Sequence, residues 1–253
     1  MCYDIKTSLE AQLRRARFRG DEAAVRELEE KISPFIEPKF YHVSGYRHPR
    51  ILIYTNRQPY VPVPAVWGLI PHWVKDRQQQ KKLWNGTLNA RAETLWERPA
   101  FREAARQCRC LIYLEGFYEH HHRSGKTFPF FIQRKDEQPF AVAGLWDEWA
   151  DPESGEVITS FTLITTRANA LLTRIHNNPK LPEPRMPVIL AADKEDAWLA
   201  VADPATQQAI LQPYPTDELT AWPVAPLRGK KYPGNVPAIN NPIKYEELAG
   251  MFD

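Results

Sequence analysis

Over the first thirty residues apolar positions recur with a helical period. Leu9, Leu13 and Ala16 fall on one stripe, and Val25, Leu28 and Ile32 on a second. Gly20-Asp21 lies between them and offers a break and a new N-cap. Thr7-x-x-Glu10 has the spacing of a capping box. The pattern predicts two short helices or one interrupted helix over 7–32, a charged hairpin laid over a core. From Ile51 the period falls to two. Stretches 51–55, 110–114, 128–133, 140–149, 160–166 and 219–224 are apolar or alternating and bounded by polar turns, as strands are. Tyr60 to Val66 is extended, with Pro62 and Pro64 placed as on a sheet edge. Further helices are predicted from Thr94 to about Gln107, from about Ala168, and behind the N-caps Asp193 and Asp203. Short strands with few long helices predict an α+β protein. It is read as a single domain over 1–253, built on a bent antiparallel sheet or barrel with peripheral helices and a helical insertion at about 7–33.

The chain of 253 residues is long enough for a sizeable core. Its 43% hydrophobic and 25% charged residues are ordinary for a globular protein. A formal net charge of +2 means that a polyanion must be met by a local patch, not by the field of the whole molecule. Cys2, Cys108 and Cys110 are too few and too closely spaced for a disulfide framework or a zinc knuckle. Cys108 and Cys110 are expected as buried thiols on one side of a strand. Adjacent residues of a strand cannot all point at one ion, so His120-His121-His122 is not expected to bind metal, and no cofactor is expected. Tyr3-Asp4-Ile5-Lys6 leads into a charged helix, and no apolar run approaches the ~18 residues of a membrane span. The expectation is an intracellular, cytoplasmic protein in reducing surroundings.

The candidate chemistry begins at the second residue. A small side chain after the initiator Met predicts removal of Met1, leaving the amine and thiol of Cys2 on one carbon skeleton. An α-amine titrates near about 7.7–8.0 and a free thiol near about 8.5, so a minority of each is nucleophilic at neutral pH. Such a 1,2-aminothiol condenses with an aldehyde through an imine and closes a thiazolidine ring. It can equally attack an amide with its own amine as base. In Glu115-Gly116-Phe117-Tyr118-Glu119 carboxylates stand among aromatic rings, where the charged form is disfavoured and proton transfer near neutral pH becomes accessible. Asn89 and Arg91, two apart in an extended segment, project to one face and suit an oxygen-rich sugar and a phosphate. Trp67-Gly68-Leu69-Ile70-Pro71-His72-Trp73 fits either core and turn or a base-stacking surface. The run from Arg14 to Arg19, with Phe18 inside it, is a second candidate place for meeting phosphates.

These pieces stand in a recognisable order. Cys2, Trp67 to Trp73, Asn89-Ala90-Arg91-Ala92-Glu93-Thr94, Gly116-Phe117-Tyr118-Glu119, Ala143-Gly144-Leu145-Trp146 and Arg185-Met186-Pro187 together resemble the SRAP family. These are the SOS-response-associated peptidases, whose activity is to shield abasic sites in DNA. The resemblance implies a monomeric, membrane-independent protein that crosslinks through Cys2 to the ring-opened sugar of abasic single-stranded or junction DNA. It implies Glu119 as the proton carrier and Asn89 as the group holding the sugar or thiol region. Arg91 would bind a phosphate and Arg185 the DNA backbone, with Thr166, Trp67, Pro71 and Trp73 also at the DNA. Tyr3-Asp4 stands where the family usually continues Gly-Arg, and His120 where a Trp often follows the Glu. The family His lies two residues before Arg-Met-Pro, a position held here by Glu183. His176, nine residues upstream of Arg185, is assigned that role across an inserted loop, protonating the departing sugar hydroxyl. Two other functions remain open at this point: a self-processing amino-terminal-Cys peptidase or amidohydrolase, and a DNA-binding module without catalysis.

Overall fold

The structure, a computed structural model, describes residues 2–17, 22–32, 39–200 and 203–250. Its strands in chain order are β1 (Asp4–Ser8), β2 (Lys39–Ser44), β3 (Arg50–Thr55), β4 (Val63–Trp67), β5 (Asn89–Arg91), β6 (Arg109–Leu114), β7 (Gly116–Arg123), β8 (Lys126–Arg134), β9 (Phe140–Ala150), β10 (Val157–Arg167), β11 (Arg185–Pro187), β12 (Ile189–Leu190) and β13 (Leu219–Pro223). The α-helices are α1 (Leu9–Arg17), α2 (Glu22–Ile32), α3 (Arg77–Trp84), α4 (Arg102–Gln107), α5 (Ala170–Ile175), α6 (Ala192–Ala200) and α7 (Pro204–Ile210).

Five strands close into a ring. β10 pairs with β4, β4 with β3, β3 with β6, β6 with β9, and β9 returns to β10. Only the β10–β4 step is parallel. The ring has no open edge, which is how a small sheet satisfies its outermost backbone groups. Gly144 of β9 leaves no room for a side chain: a Cβ there would lie 2.7 Å from the Thr162 carbonyl oxygen and 2.9 Å from Cys110 Sγ. β5 and β11 extend β10, and β12 extends β9. A second, antiparallel sheet runs in the order β13–β8–β7–β1–β2. The α+β architecture on a bent sheet and barrel is therefore present, with helices around it.

Several local expectations change. β4 is bonded on both sides, so it is not an edge. Its pairing to β10 uses only Val66 and Trp67, which leaves Pro64 on a stretch paired to β3 alone and removes any conflict with its missing N–H. Thr7 lies in β1 and donates to the Tyr113 carbonyl at 2.9 Å. Ser8 caps α1 instead, accepting from the Ala11 N–H. The helix expected over 94–107 is helical only from Arg102, behind turns closed on the Thr94 and Arg98 carbonyls; a Pro at 99 disfavours the α region for the residue before it. Asp193 falls inside α6 rather than at its cap, whereas Asp203 caps α7 through the Ala205 and Thr206 N–H groups.

On α1, Ala11, Leu13 and Ala16 are buried, as is Val25 on α2. The break at Gly20-Asp21 and the side chains of Leu28 and Ile32 lie outside the described residues. The basic run is largely neutralised within the protein. Arg15 is buried against Glu195 and Asp196, Arg17 pairs with Glu29, and Arg14 donates to the Pro139 carbonyl. Phe18 and Arg19 lie outside the described residues. Cys108 and Cys110 are free, buried thiols. No described helix is long and apolar enough to cross a membrane.

Candidate active site

β6 ends at Leu114, Glu115 is a bend between the two sheets, and β7 runs from Gly116 through Glu119 to Arg123. Alternation along β7 puts Phe117, Glu119 and His121 on one face and Tyr118, His120 and His122 on the other. Phe117 belongs to the main core, so Glu119 is carried into the interior. The three histidines are split between faces, and no described group of His, Cys, Asp and Glu is arranged to hold a metal ion.

α5 packs over the Glu119 face and ends at His176. Two contacts fix that end. Asn177 accepts from the His122 N–H at 2.6 Å and donates to the His122 carbonyl at 3.0 Å. Nδ1 of His176 lies 2.8 Å from the Arg185 carbonyl oxygen. The Arg185 N–H also lies 3.3 Å from Nδ1, but the shorter contact is to a carbonyl, which only accepts, and it favours the tautomer with the proton on Nδ1 and the lone pair on Nε2. Nε2 stands 3.7 Å from Glu119 Oε2. Glu183 turns away to Arg185 and Arg167, so the geometry brings His176, and not Glu183, to Glu119.

Burial controls the proton here. It pushes the Glu119 carboxyl up to about 8, with the Asp4 charge adding to the rise. It pulls His176 down to about 4. At neutral pH the pair is a carboxylic acid facing a neutral imidazole, the arrangement of an acid and its acceptor.

β1 delivers Cys2 to the same place. Asp4 stands opposite Tyr118 on β7, so the residues before it run alongside Glu119. Cys2 is fully buried, and burial together with the Glu119 charge raises its thiol well above the usual range. Its Sγ lies 3.8 Å from the Asp4 carbonyl oxygen. Tyr3, also coupled to Glu119, has its phenol raised by burial and packs 5.0 Å from the Tyr46 ring.

Tyr3 forms one wall of a cavity of about 570 Å³ with Trp73, Lys82, Asn89, Arg91 and Arg98. No carboxylate lines it among the described residues. Asn89 and Arg91 are set there by β5, whose parallel register places Asn89 beside Leu163 and Arg91 beside Thr165 of β10. Asn89 is buried, yet neither atom of its amide has a hydrogen-bond partner among the described residues. Buried polar groups are nearly always satisfied, so this amide is free to bond a group that enters the cavity.

The remaining expected DNA contacts divide. Trp73 and Arg91 are part-exposed in the cavity. Trp67 is a core side chain, fully buried, donating from Nε1 to the Leu88 carbonyl and stacked on Phe161. Gly68 then turns the chain at φ 117°, where a Cβ would meet Trp84 and His48. Pro71 and Thr166 are buried. Arg185 is 1% exposed, and its fork is held by Glu93, Glu183 and Thr165. A contact with a DNA backbone needs donors that are here engaged within the protein. Lys82, Arg98 and Tyr3 escaped the sequence reading. Only the position of Tyr3 beside Cys2 and the charge of the other two hinted at them.

A buried acid–imidazole pair and a buried thiol thus lie beside a cavity lined by Lys82, Arg91 and Arg98. A family model described as SOS response associated peptidase (SRAP) matches residues 1–230, and the chain belongs to that family. It is 42% identical over 164 residues to a Bacillus subtilis protein named Abasic site processing protein YoqW, covering 64% of this chain and 68% of that one. A rat protein named Abasic site processing protein HMCES is 31% identical over 193 residues, covering 65% of this chain and 52% of that protein. A crystal structure of a Bacteroides thetaiotaomicron protein superposes with TM-score 0.83 at 31% identity, covering 96% of this chain and 100% of that chain. Another, from Bordetella bronchiseptica, gives 0.70 at 27% identity over 88% and 99%.

Proposed function

We propose that this protein captures abasic sites in DNA by a covalent bond from Cys2, once Met1 has been removed. The ring-opened abasic sugar is an aldehyde. The Cys2 amine adds to its carbon, and the carbinolamine takes a proton from Glu119 as water leaves, giving an iminium and a Glu119 carboxylate. The thiol then adds to the iminium carbon as its proton passes to that carboxylate, closing a thiazolidine and restoring the acid. One water is lost overall. His176, its lone pair facing Glu119, shares the mobile proton and serves the ring opening that precedes condensation. Asn89 receives the sugar oxygens, and Arg91, Lys82 and Arg98 hold flanking phosphates of a single strand or junction.

The observation that carries this reading is the buried Glu119–His176 pair beside the buried Cys2. Proximity of amine, thiol and aldehyde is worth up to about 7–11 kcal/mol of barrier. The family and the printed names of its relatives supply the substrate class.

The test is intact mass and denaturing electrophoresis of Met1-free protein with an abasic oligonucleotide. The expected product is a heat-stable adduct of the summed masses less one water, absent from Cys2→Ala. Undiminished adduct in that variant removes the mechanism. Turnover of amide substrates in trans with no adduct favours the peptidase reading.

A further inference from the structure

We infer that Asp4 is a positioning residue: gripped by His42 and Arg228, it fixes the strand that presents Cys2 to Glu119. The inference rests on the capture reading above.

Asp4 is the first residue of the β1 ladder, paired on one side with Ser44 of β2 and on the other with Tyr118 of β7. Everything amino-terminal to it, including both nucleophiles of Cys2, hangs from that point. A backbone bond from Gly45 N–H to the Tyr3 carbonyl at 2.7 Å steadies the next residue. The Asp4 side chain is buried, an unusual place for a carboxylate. It is also fully matched. His42 Nε2 lies 3.1 Å from Oδ1, and Arg228 Nη2 lies 2.9 Å from Oδ2 and 3.2 Å from Oδ1. His42 is fixed in turn by Tyr232, whose hydroxyl is 2.8 Å from Nδ1. One side chain thus joins β1, β2 and the segment after β13, on the face of the sheet that carries Tyr118 and behind the strand that leads to Cys2.

Asp4 and Glu119 are two acids in opposite environments. Burial acts on both. For Asp4 the His42 hydrogen bond and the Arg228 charge outweigh it and hold the carboxyl below its usual range. For Glu119 burial prevails over the amino-terminal charge, and the carboxyl keeps its proton. The fixed negative charge of Asp4 therefore reinforces the acid form of Glu119, besides holding Cys2 in place. Asp4 is faced by His42 from β2, by Arg228 and Tyr232 from the segment after β13, and by His120 from β7. Glu119 is faced by Cys2 and Tyr3 ahead of β1, by Asp4 from β1 and by His176 after α5.

The test compares Met1-free wild type, Asp4→Asn and Arg228→Gln in single-turnover capture of an abasic oligonucleotide across pH. Binding to an intact oligonucleotide is measured alongside. Asp4→Asn keeps the shape and removes the charge. It is expected to slow capture by ~10-fold or more, as small misplacements of reacting groups do, and to move the alkaline fall of the rate to lower pH. Intact-strand affinity stays unweakened. Arg228, 60% exposed, can be replaced without opening the core, and Arg228→Gln is expected to slow capture by a smaller factor. Wild-type rates in both variants overturn the inference, and so does uniform slowing in Asp4→Asn with an unmoved alkaline limb. If Asp4→Asn does not fold, Arg228→Gln and Tyr232→Phe decide: wild-type capture by both overturns it. Absence of any adduct from wild type defeats the capture reading instead. Carboxyl NMR titration of Glu119 in the same proteins then reads the Asp4 effect without DNA, and an unmoved Glu119 overturns the inference.

Discussion

Glu119 Oε2 and His176 Nε2 face each other at 3.7 Å, each side chain 5% exposed, one carried by a β-strand and the other by the turn that ends α5. Their displaced titrations, to about 8 and about 4, leave both neutral over the interval between, with the proton on the carboxyl. Capture that uses Glu119 as acid should therefore fall away above about pH 8. Deprotonation of the Cys2 amine, near about 7.7–8.0, opposes it from the acid side and gives a bell. Glu119→Gln should lose the alkaline limb and run ~10²–10⁴-fold slower. Single-turnover rates across pH, with both proteins, check this.

The same group governs stability, and the sign is definite. The ordinary glutamate value is 4.5 and the folded value about 8, so the unfolded chain gives up the proton first. Stability tied to Glu119 is full below the ordinary value, declines as pH rises between the two, and is gone above the folded one. Each unit of displacement is worth about 1.4 kcal/mol. Glu119→Gln should thus melt higher than wild type in mildly alkaline buffer and alike in acid. Thermal melts at the two extremes make the comparison.

Much of this site could be read from residue types in order. Glu119 among aromatics, Asn89 and Arg91 two apart, and Cys2 behind Met1 are each picked out as candidates by local spacing. Pairings distant in sequence could not be read. Asp4 with Arg228, Asn177 with His122, and Arg185 with Glu93 depend on which strands become neighbours, and nothing in a local period states that. A barrel was one of the two architectures expected, but the pair that closes it could not be read, since a parallel β10–β4 contact of two residue pairs leaves no periodic trace. Trp67 shows the converse error: a motif suited to stacking on bases is instead a core anchor.

Asn89 offers a clean separation of fold from function. Its amide has no hydrogen bonds to lose within the described protein, although it is buried. Removing a buried unsatisfied group forgoes no bond and relieves a desolvation penalty of ~1–3 kcal/mol. Asn89→Ala should therefore be close to neutral in a denaturant titration. Capture of the abasic sugar, which supplies the missing partners, should drop ~10-fold or more, the value of ~1.4 kcal/mol per decade when a bond to substrate is lost. A strongly destabilised Asn89→Ala would mean that the amide is satisfied in the free protein.

Arg91 and Arg185 carry the same side chain to different ends. Arg91 has no ion-pair partner among the described residues and opens onto the basic cavity. Arg185 is enclosed, with Glu93 and Glu183 on its fork and Thr165 beside it. Replacing a phosphate contact weakens binding of every sequence alike and lowers the salt slope by about one. Arg91→Ala should do this with an unchanged melting temperature. Arg185→Met should instead cost about 3 kcal/mol of stability, since it strands two carboxylates that had a buried partner. Their part exposure keeps the loss at the low end. The salt slope of any Arg185→Met protein that folds should match wild type. A lowered slope there would place Arg185 on the DNA, with its network opening as the strand arrives.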